Sequence, residues 1–292
     1  MTIKIAVTGG KGGVGKSTIA AMLALFLSKN KGSVLLVDTD VESPVQHLLL
    51  NIKRTLKKKI ETFVPKILYN KCAKCGDCIK VCSEHALYAP PNDYPKLLKD
   101  LCSGCKACYY ICNYNAIAEE KDAMGYIYEG EIGNIKLIQG ELIPGKRQYV
   151  TLTIHVLDYA RETVSNFDYV VYDTAPGTAA NIFSVLREVD VVMAVTEPTR
   201  LGANDLEMLL NLSDRLNKTS YIILNKATMP GGKKELITEI AKRRNVNIIT
   251  EIPFEKEYIE GYVTKKLLEE NFSSRYSKYF INVVKTVVNN IA

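Results

Sequence analysis

The sequence predicts an α/β protein whose doubly wound, mostly parallel sheet is interrupted by one small inserted module. Three observations support this fold class. The first forty residues alternate strand, glycine-rich loop, helix and strand, and the same alternation resumes after about residue 149. Between the two halves lie all eight cysteines, from Cys72 to Cys112.

The N-terminal segment is predicted to form a βαβ unit. An apolar run of strand type ends at Thr8, apolar residues at helical spacing extend from Lys16 to Leu27, and a buried-strand run spans residues 34–38. Because a helix joins the two strands, we expect them to pair in parallel with a right-handed crossover.

The second half repeats this alternation. The pattern predicts strands at 169–173, 190–197, 221–225 and 247–253, with helices at about 179–188, at 203–216, after Gly232 and at the C-terminus. The last helix carries an apolar stripe of Tyr276, Tyr279, Phe280, Val283, Val284, Val287, Val288 and Ile291. Few lysines accompany this stripe, so the pattern favours packing on the domain over contact with a membrane.

Residues 58–119 are predicted to form a small module inserted into a larger domain of residues 1–57 and 120–292. The insert contains every cysteine and four of the ten prolines, and about 125–148 is expected to form short strands and turns. The cysteines also repeat: Cys72, Cys75, Cys78 and Cys82 recur 30 residues later as Cys102, Cys105, Cys108 and Cys112. This shift predicts two half-modules related by pseudo-symmetry.

The glycine-rich loop after the first strand matches G-x-x-x-x-G-K-[ST] at every fixed position. Its residues are Gly10, Lys11, Gly12, Gly13, Val14, Gly15, Lys16 and Ser17, followed by Thr18. Free main-chain N–H groups and the start of a helix suit such a loop to bind phosphate. Lys16 is expected to reach the β- and γ-phosphates, and the Ser17 hydroxyl to ligate Mg²⁺.

Three aspartates follow predicted strands and are candidates for the carboxylates that Mg²⁺ needs. Asp173 ends one apolar strand, and Asp38 and Asp40 follow another. Because the carboxyl ends of parallel strands share one rim, all three are expected to face the nucleotide. A solvated turn remains the alternative for Asp38 or Asp40.

With its extra Lys11, the run KGGVGKST resembles the deviant Walker A motif of MinD, ParA, Mrp and the nitrogenase iron protein, P-loop ATPases of the SIMIBI-like class. The resemblance covers nearly all of the chain outside the insert. It implies a nucleotide-dependent sandwich dimer in which Lys11 crosses to the partner's phosphates. Asp40 would position the attacking water, and Asp38 and Asp173 would support Mg²⁺.

The same resemblance implies a base pocket near the end of the predicted strand at 221–225. Asn225 would contact adenine, and the backbone near Pro253 would close the pocket. Asn225-Lys226 is followed by Ala227-Thr228, so the guanine signature N-K-x-D is incomplete and ATP is favoured over GTP.

C-x₂-C-x₂-C-x₃-C, present twice, is the ligand run of bacterial two-cluster ferredoxins, in which the fourth cysteine ligates the other cluster. One [4Fe–4S] cluster is thus assigned to Cys72, Cys75, Cys78 and Cys112, and the other to Cys82, Cys102, Cys105 and Cys108. Zinc is the alternative, because four-cysteine zinc sites also use C-x₂-C. The proline that commonly follows the fourth cysteine is replaced by Ser83 and Asn113. The whole resembles the MinD-type ATPases with an inserted α+β bacterial-ferredoxin-like domain.

Three functions fit these motifs. The first is an ATP-hydrolysing iron–sulfur protein that couples nucleotide state to electron transfer through two clusters, with an unidentified redox or iron–sulfur client. The second is a carrier or assembly ATPase for a labile cluster, but no cysteine lies outside the insert, at the sites where clusters bridge such dimers. The third is a MinD-like regulatory or positioning switch.

Composition narrows the remaining possibilities. The net charge of +6 is modest, and the densest basic run (Lys53, Arg54, Lys57, Lys58 and Lys59) is most simply a solvated face, with docking of an acidic protein or nucleic acid as the alternative. No basic stripe is interleaved with aromatic residues, so nucleic acid is disfavoured. No apolar stretch approaches the roughly 18–20 residues of a membrane span, and the N-terminus lacks the pattern of a secretion signal. We therefore expect a cytoplasmic protein.

Overall fold

A nine-stranded sheet forms the centre of the computed structural model, which describes residues 2–30, 32–255 and 270–291. The strands are β1 (Ile3–Thr8), β2 (Val34–Asp38), β3 (Thr55–Ile67), β4 (Leu87–Tyr88), β5 (Lys96–Leu97), β6 (Ile117–Ile132), β7 (Ile135–Leu142), β8 (Tyr169–Asp173), β9 (Val191–Thr196), β10 (Thr219–Leu224) and β11 (Ile248–Glu251). Strands β4 and β5 pair apart from the main sheet.

The helices are α1 (Lys16–Lys29), α2 (Gln46–Leu49), α3 (Asp77–Lys80), α4 (Ala107–Ile111), α5 (Tyr149–Arg161), α6 (Ala180–Glu188), α7 (Arg200–Arg215), α8 (Lys234–Arg244) and α9 (Glu270–Ile291). Helix α7 begins three residues before the predicted start, because the Thr199 hydroxyl caps it by accepting a hydrogen bond from Gly202 N at 2.9 Å.

The strand order is β11-β10-β9-β1-β8-β2-β7-β6-β3. Neighbours from β11 to β7 pair in parallel, whereas β6 runs antiparallel to both β7 and β3. The predicted doubly wound, mostly parallel sheet is therefore confirmed. Strand β1 lies between β8 and β9, where the chain changes direction across the sheet, and the loop that follows it opens at the crevice where such sheets bind ligands.

Helices cover both faces of this sheet. Along β1, Ile5 and Val7 face a core that contains α1 and α9, while Ala6 faces a second core that contains α5 to α8. Every residue of β2 and β9 is buried. Burial on both faces explains why these strands are continuous apolar runs without alternation.

The structure differs from the predicted organisation around the cysteines. The region predicted as short strands and turns at 125–148 contains the end of one 16-residue strand, β6, and the parallel strand β7. Strands β3 and β6 pair from Thr55 opposite Glu129 to Ile67 opposite Ile117. The predicted module boundaries at 57/58 and 119/120 thus fall inside two strands that join the cysteine segment to the main sheet.

Helix α9 packs on the sheet as its stripe predicts. The core around α1 contains five buried side chains of α9: Tyr276, Phe280, Val283, Val284 and Val287. The prediction for Ile291 concerns a side chain that lies outside the described part of the chain. Among the described helices, none combines the length and the apolar composition that crossing a bilayer requires.

Replacing Phe280 with Ala is expected to lower the free energy of unfolding by about 3–5 kcal/mol, because the ring is fully buried and its loss leaves a cavity. The ring stacks on Phe26 with centroids 5.2 Å apart. Urea denaturation followed by circular dichroism measures the change. Phe183→Ala, at a ring that is 41% exposed, is the control and should cost much less; equal losses would contradict the packing of α9.

Candidate functional site

The loop between β1 and α1 has an open inner face and a crowded outer face. A Cβ built on Gly12 or Gly13 would meet no atom within 4 Å, whereas a Cβ on Gly10 would lie 2.1 Å from Asp205 Cβ. Gly13 and Gly15 have φ values of 80° and 98°, which side chains rarely tolerate. The loop therefore presents bare backbone to a ligand on one side and packs against the protein on the other.

Lys16 lies almost buried at the base of this loop, with 6% of its surface exposed. Its Nζ donates to the Lys11 carbonyl at 3.1 Å, so the loop curls around the ammonium group. Burial lowers the pKa of Lys16, and the nearby Asp173 and Asp40 oppose that effect. A desolvated cation with one hydrogen-bond partner is well suited to bind an anion.

A cavity of about 730 Å³ opens above the loop, a volume typical of small-molecule sites. The sequence-predicted residues that line it are Gly12, Gly13, Gly15, Lys16, Ser17, Thr18, Asp40, Asn225 and Pro253. The predicted residues Gly10, Lys11, Val14, Asp38 and Asp173 lie outside this lining.

Asp173 is fully buried beneath the cavity, and burial raises its pKa to about 6. Its Oδ2 accepts a hydrogen bond from Gln46 Nε2 at 2.7 Å, while its Oδ1 has no hydrogen-bond partner in the described residues. Gln46 Nε2 also donates to the Ser17 carbonyl at 2.9 Å, and Gln46 Oε1 is likewise buried without a partner. Unpartnered oxygens beside a serine hydroxyl are the ligand type that fits Mg²⁺.

Asp38 lies beside Asp173 in the sheet. Its carboxylate is fully buried and accepts hydrogen bonds from Gln139 Nε2 at 2.6 Å and from three main-chain N–H groups, those of Asp40, Val45 and Gln46. The Asp38 oxygens therefore hold the loop that carries Asp40, and the role of Asp38 in supporting Mg²⁺ stays a prediction. Burial and the adjacent Asp173 raise the pKa of Asp38.

Asn225 stabilises the phosphate loop through its side-chain amide. Its Nδ2 donates to the Val14 carbonyl at 2.8 Å, and its Oδ1 accepts from Lys226 N at 2.9 Å. A Cβ on Gly15 would lie only 2.3 Å from Asn225 Nδ2, so glycine is needed for this close approach. The adenine contact of Asn225 stays a prediction, while Pro253 and the neighbouring Phe254 line the same cavity.

Lys11 points away from the cavity in this single chain. Its Nζ forms an ion pair with Glu197 Oε1 at 2.6 Å, and Lys226 Nζ binds Glu197 Oε2 at 2.9 Å and the Gly13 carbonyl at 2.8 Å. Burial alone would raise the pKa of Glu197, but the two lysines lower it. Sequence reasoning missed Glu197, although it follows a buried strand at the same rim as Asp173.

The cysteines gather around two hollows, and each hollow receives its fourth thiol from the other run. One is lined by Cys72, Cys75, Cys78 and Cys112, and the other by Cys82, Cys102, Cys105 and Cys108. All eight thiols are free. Within the described residues, no three cysteine, histidine or acidic side chains converge closely enough to hold a single metal ion. His85 is exposed and does not line either hollow.

The backbone around the two hollows repeats with the same 30-residue shift as the sequence. Left-handed φ values occur in three matching pairs, at Lys74 and Gly104, Gly76 and Lys106, and His85 and Asn115. Each fourth thiol also accepts a matching hydrogen bond, from Ala86 N to Cys82 Sγ at 3.2 Å and from Ala116 N to Cys112 Sγ at 3.3 Å. Main-chain donors aimed at sulfur stabilise a thiolate over a thiol.

One thiol at each hollow is held in its neutral form in the absence of a cation. Burial, with a contribution from the neighbouring thiols, raises the pKa of Cys78 and of Cys108 to about 11. Metal ligation requires the thiolate, so a group bound in either hollow has to supply positive charge to displace these protons.

Comparison with protein families identifies the larger domain. Residues 5–268 match the model described as the CobQ/CobB/MinD/ParA nucleotide binding domain. The chain belongs to this nucleotide-binding family. Its MinD and ParA members are ATPases, which supports ATPase activity for this chain in general.

Individual relatives agree with this assignment. The uncharacterized protein MJ0578 of Methanocaldococcus jannaschii is 34% identical over 78% of this chain and 79% of its own length. An iron–sulfur cluster carrier protein of Pseudomonas fragi is 44% identical over 64 residues, which are 21% of this chain and 22% of that protein. The structure of the septum site-determining protein MinD of Pyrococcus horikoshii, complexed with Mg-ADP, shares the fold, with a TM-score of 0.61 at 16% identity over 99% of this chain and 97% of that one.

For a member of this family with a buried Asp173, Mg²⁺ binding should depend on pH. Because the pKa of Asp173 is raised to about 6, a proton competes with Mg²⁺ below that pH and does not above it. We expect the Mg²⁺ affinity, measured calorimetrically with saturating ADP, to be constant above about pH 7. Below about pH 6 we expect this affinity to fall with each further unit of pH. ADP binding in EDTA is the control. A Mg²⁺ affinity that stays constant down to about pH 5 would contradict this role for Asp173.

Replacing Asn225 with Ala should weaken the binding of ADP and GDP by similar factors of about tenfold or more, because the hydrogen bond from Asn225 Nδ2 to the Val14 carbonyl, which shapes the loop, is lost. Calorimetric titration measures both affinities, and Asn204→Ala, at an exposed position on α7, is the control. Weaker binding of ADP with unchanged binding of GDP would instead assign Asn225 to the base.

Proposed function

We propose that this chain is an ATP-binding and ATP-hydrolysing iron–sulfur protein in which nucleotide state is coupled to electron transfer through two [4Fe–4S] clusters. One observation carries the proposal: two hollows, each lined by four thiols, lie on strands that belong to the same sheet as the phosphate loop. Family membership supports the nucleotide half, and the arrangement of the thiols supports the iron–sulfur half.

On the nucleotide side, different residues would contribute to different parts of phosphoryl transfer. The bare backbone at Gly12 and Gly13 receives the phosphates, and Lys16 places its charge on them. Ser17 and Asp173 would hold Mg²⁺, which neutralises charge on the phosphate oxygens when bound. Asp40, which lies on the cavity wall with Glu42 and Glu255, would orient the attacking water.

On the cysteine side, the ligand sets are those of the two hollows. A pair of [4Fe–4S] clusters supplies one-electron transfer when bound. Four sulfurs spread around a hollow suit a cubane, whereas a zinc ion draws its four ligands to a single point at about 2.3 Å. The main-chain donors at Ala86 and Ala116 hold the two exchanged thiols in place.

In this proposal the two sites are coupled through polar contacts that are buried at Asp38 and Gln139 and partly exposed at Arg54. Asp38 holds the Asp40 loop and accepts from Gln139, and Gln139 Oε1 accepts from Arg54 Nη1 at 2.9 Å. Arg54 immediately precedes β3, pairs with Glu141 at 2.6 Å, and stacks over Tyr128 of β6 at 4.3 Å. A shift of the Asp40 loop on nucleotide binding would thus act on both strands that carry the cysteines.

Dimer formation would complete the nucleotide site. In this proposal, Lys11 leaves Glu197 when a triphosphate is present and reaches the phosphates of a second copy. Glu197 stays paired with Lys226, so the carboxylate keeps a cation after Lys11 departs.

A carrier or assembly ATPase that delivers a labile cluster is the second candidate, favoured by the short similarity to the Pseudomonas fragi carrier protein. Transfer of iron and sulfide to an apo-ferredoxin separates the two. A carrier loses its clusters to the acceptor at a rate that depends on ATP, whereas the proposed electron-transfer protein retains them.

The nucleotide half is tested by Lys16→Ala. We expect this variant to lose ATP hydrolysis while its iron content stays near that of the wild type, because Lys16 is remote in sequence and function from the thiols. Lys218→Ala, at a lysine outside the cavity, is the control. Hydrolysis that survives Lys16→Ala would place the phosphate site elsewhere.

The iron–sulfur half is tested by metal analysis of anaerobically purified protein, where we expect about eight iron and eight sulfide per chain. Paired substitutions test how the thiols are grouped. Cys72→Ser with Cys112→Ser removes two ligands of one hollow and should leave about four iron, whereas Cys102→Ser with Cys112→Ser removes one ligand from each and should affect both clusters. Stoichiometric zinc in the wild type, or equal iron in the two double variants, would contradict the assignment.

A further inference from the structure

We propose that the open edge of β3, beside the hollow that contains Cys102, docks an acidic redox carrier protein through an extended segment of that carrier. The inference rests on the proposed function, because it names the surface through which electrons enter or leave. The partner would exchange electrons with the cysteine site of one particular hollow, and the sequence motifs alone do not indicate which hollow that is.

The two hollows differ in how close they lie to the main sheet. Gln148, at the start of α5, donates from Nε2 to the Cys102 carbonyl at 2.6 Å, and a Cβ on Gly104 would lie 2.1 Å from Thr62 Oγ1 of β3. The hollow with Cys102 is thus the proximal one, packed against β3 and α5. The distal hollow, with Cys72, is lined by insert residues such as Pro95 and Tyr114 and touches the main sheet at the strand ends Ile67 and Ile117.

A cleft of about 400 Å³ lies next to the proximal hollow. Its lining consists of residues 58–63 of β3 together with Gly104, Lys106, Glu119, Lys121 and His155. Phe63 and Lys106 line both this cleft and the proximal hollow. The cleft and the proximal hollow are therefore neighbours that share two side chains.

The cleft carries an excess of positive charge, with four lysines against two glutamates. Lys59 pairs with Glu61 at 2.9 Å, and Lys106 pairs with Glu119 at 3.1 Å. Lys58 and Lys121 are exposed and form no ion pair within the described residues. Two unpaired cations in a cleft attract an acidic surface and repel a basic one.

The cleft lies along β3, the edge strand of the main sheet. In the described chain β3 pairs with β6 alone, so the N–H and C=O groups on its other side are available to a second chain. Lysines on such an edge normally prevent indiscriminate pairing. The same lysines admit an acidic strand, for which pairing brings opposite charges together, so the edge selects its partner by charge.

The electron step needs no other reactant. The reduced carrier loses one electron to the metal group held by the proximal thiols and is thereby oxidised, and no bond forms or breaks. Salt bridges at Lys58 and Lys121 hold the carrier during this step without taking part in it.

The test uses the iron-loaded chain and, as the probe, a small acidic flavodoxin in its reduced form. Binding is measured by biolayer interferometry at low salt, and cluster reduction by stopped-flow absorbance. Lys58→Glu with Lys121→Glu should weaken binding and slow reduction by about tenfold or more, and raised ionic strength should do the same to the wild type. The matched control, Lys71→Glu with Lys242→Glu, changes the net charge equally at an exposed lysine near the distal hollow and one on α8, and should stay within about twofold of the wild type.

Hydrogen exchange of the complex tests the strand pairing itself. Amides in residues 58–61 should exchange more slowly when the flavodoxin is bound. The proposal would be overturned by unchanged exchange of these amides, or by equal losses of flavodoxin binding in the two double variants. It would also be overturned if millimolar inorganic phosphate slowed the exchange of these amides and the flavodoxin did not. Failure of the coupling between nucleotide and clusters, with this binding intact, would instead contradict the proposed function and leave the docking surface standing.

Discussion

The rest of this structure depends on two carboxylates that lie side by side, buried away from water, at the carboxyl ends of two neighbouring strands. Asp38 and Asp173 are paired in register on β2 and β8, and both are fully buried. Such a pair is unfavourable unless hydrogen bonds or cations compensate it. Gln139 and main-chain amides compensate Asp38, whereas Asp173 has Gln46 on one oxygen and, among the described residues, no hydrogen-bond partner within normal geometry on the other. The hydrogen bonds to Asp38 hold the Asp40 loop, and the free oxygen of Asp173 is what suits it to the proposed Mg²⁺ site.

The proposed coupling between the nucleotide site and the cysteines depends on the same constraint. Gln139 lies on β7, next to the pair of strands that extends from the sheet to the cysteines. Since β3 and β6 run without a break from the nucleotide domain into the insert, the thiol hollows are attached to the sheet by paired backbone and not by a flexible linker. An insert joined in this way can respond to small movements at the nucleotide rim, because packed elements transmit displacement with little loss.

The sequence predicted the sheet and the phosphate loop well because their signals are local: buried apolar strands and a glycine motif leave little choice of structure. The grouping of the cysteines also follows from spacing alone. The long β6 was missed because its sixteen residues contain glycine and many charges, and it was only its pairing with β3 and β7 that made it a strand. Gln46, Gln139 and Glu197 were missed because their importance lies in partners distant along the chain, for which single-sequence periodicity carries no signal.

The central claim, that nucleotide state reaches the cysteine module, is tested most directly by redox titration of the iron-loaded chain with ADP and with a nonhydrolysable ATP analogue. The account predicts different midpoint potentials in the two states, where about 60 mV corresponds to a tenfold coupling for one electron. It also predicts that Gln139→Leu, which removes the side chain that hydrogen-bonds to both Asp38 and Arg54, makes the two midpoint potentials equal. Identical potentials in the wild type, with both nucleotides demonstrably bound, would contradict the account.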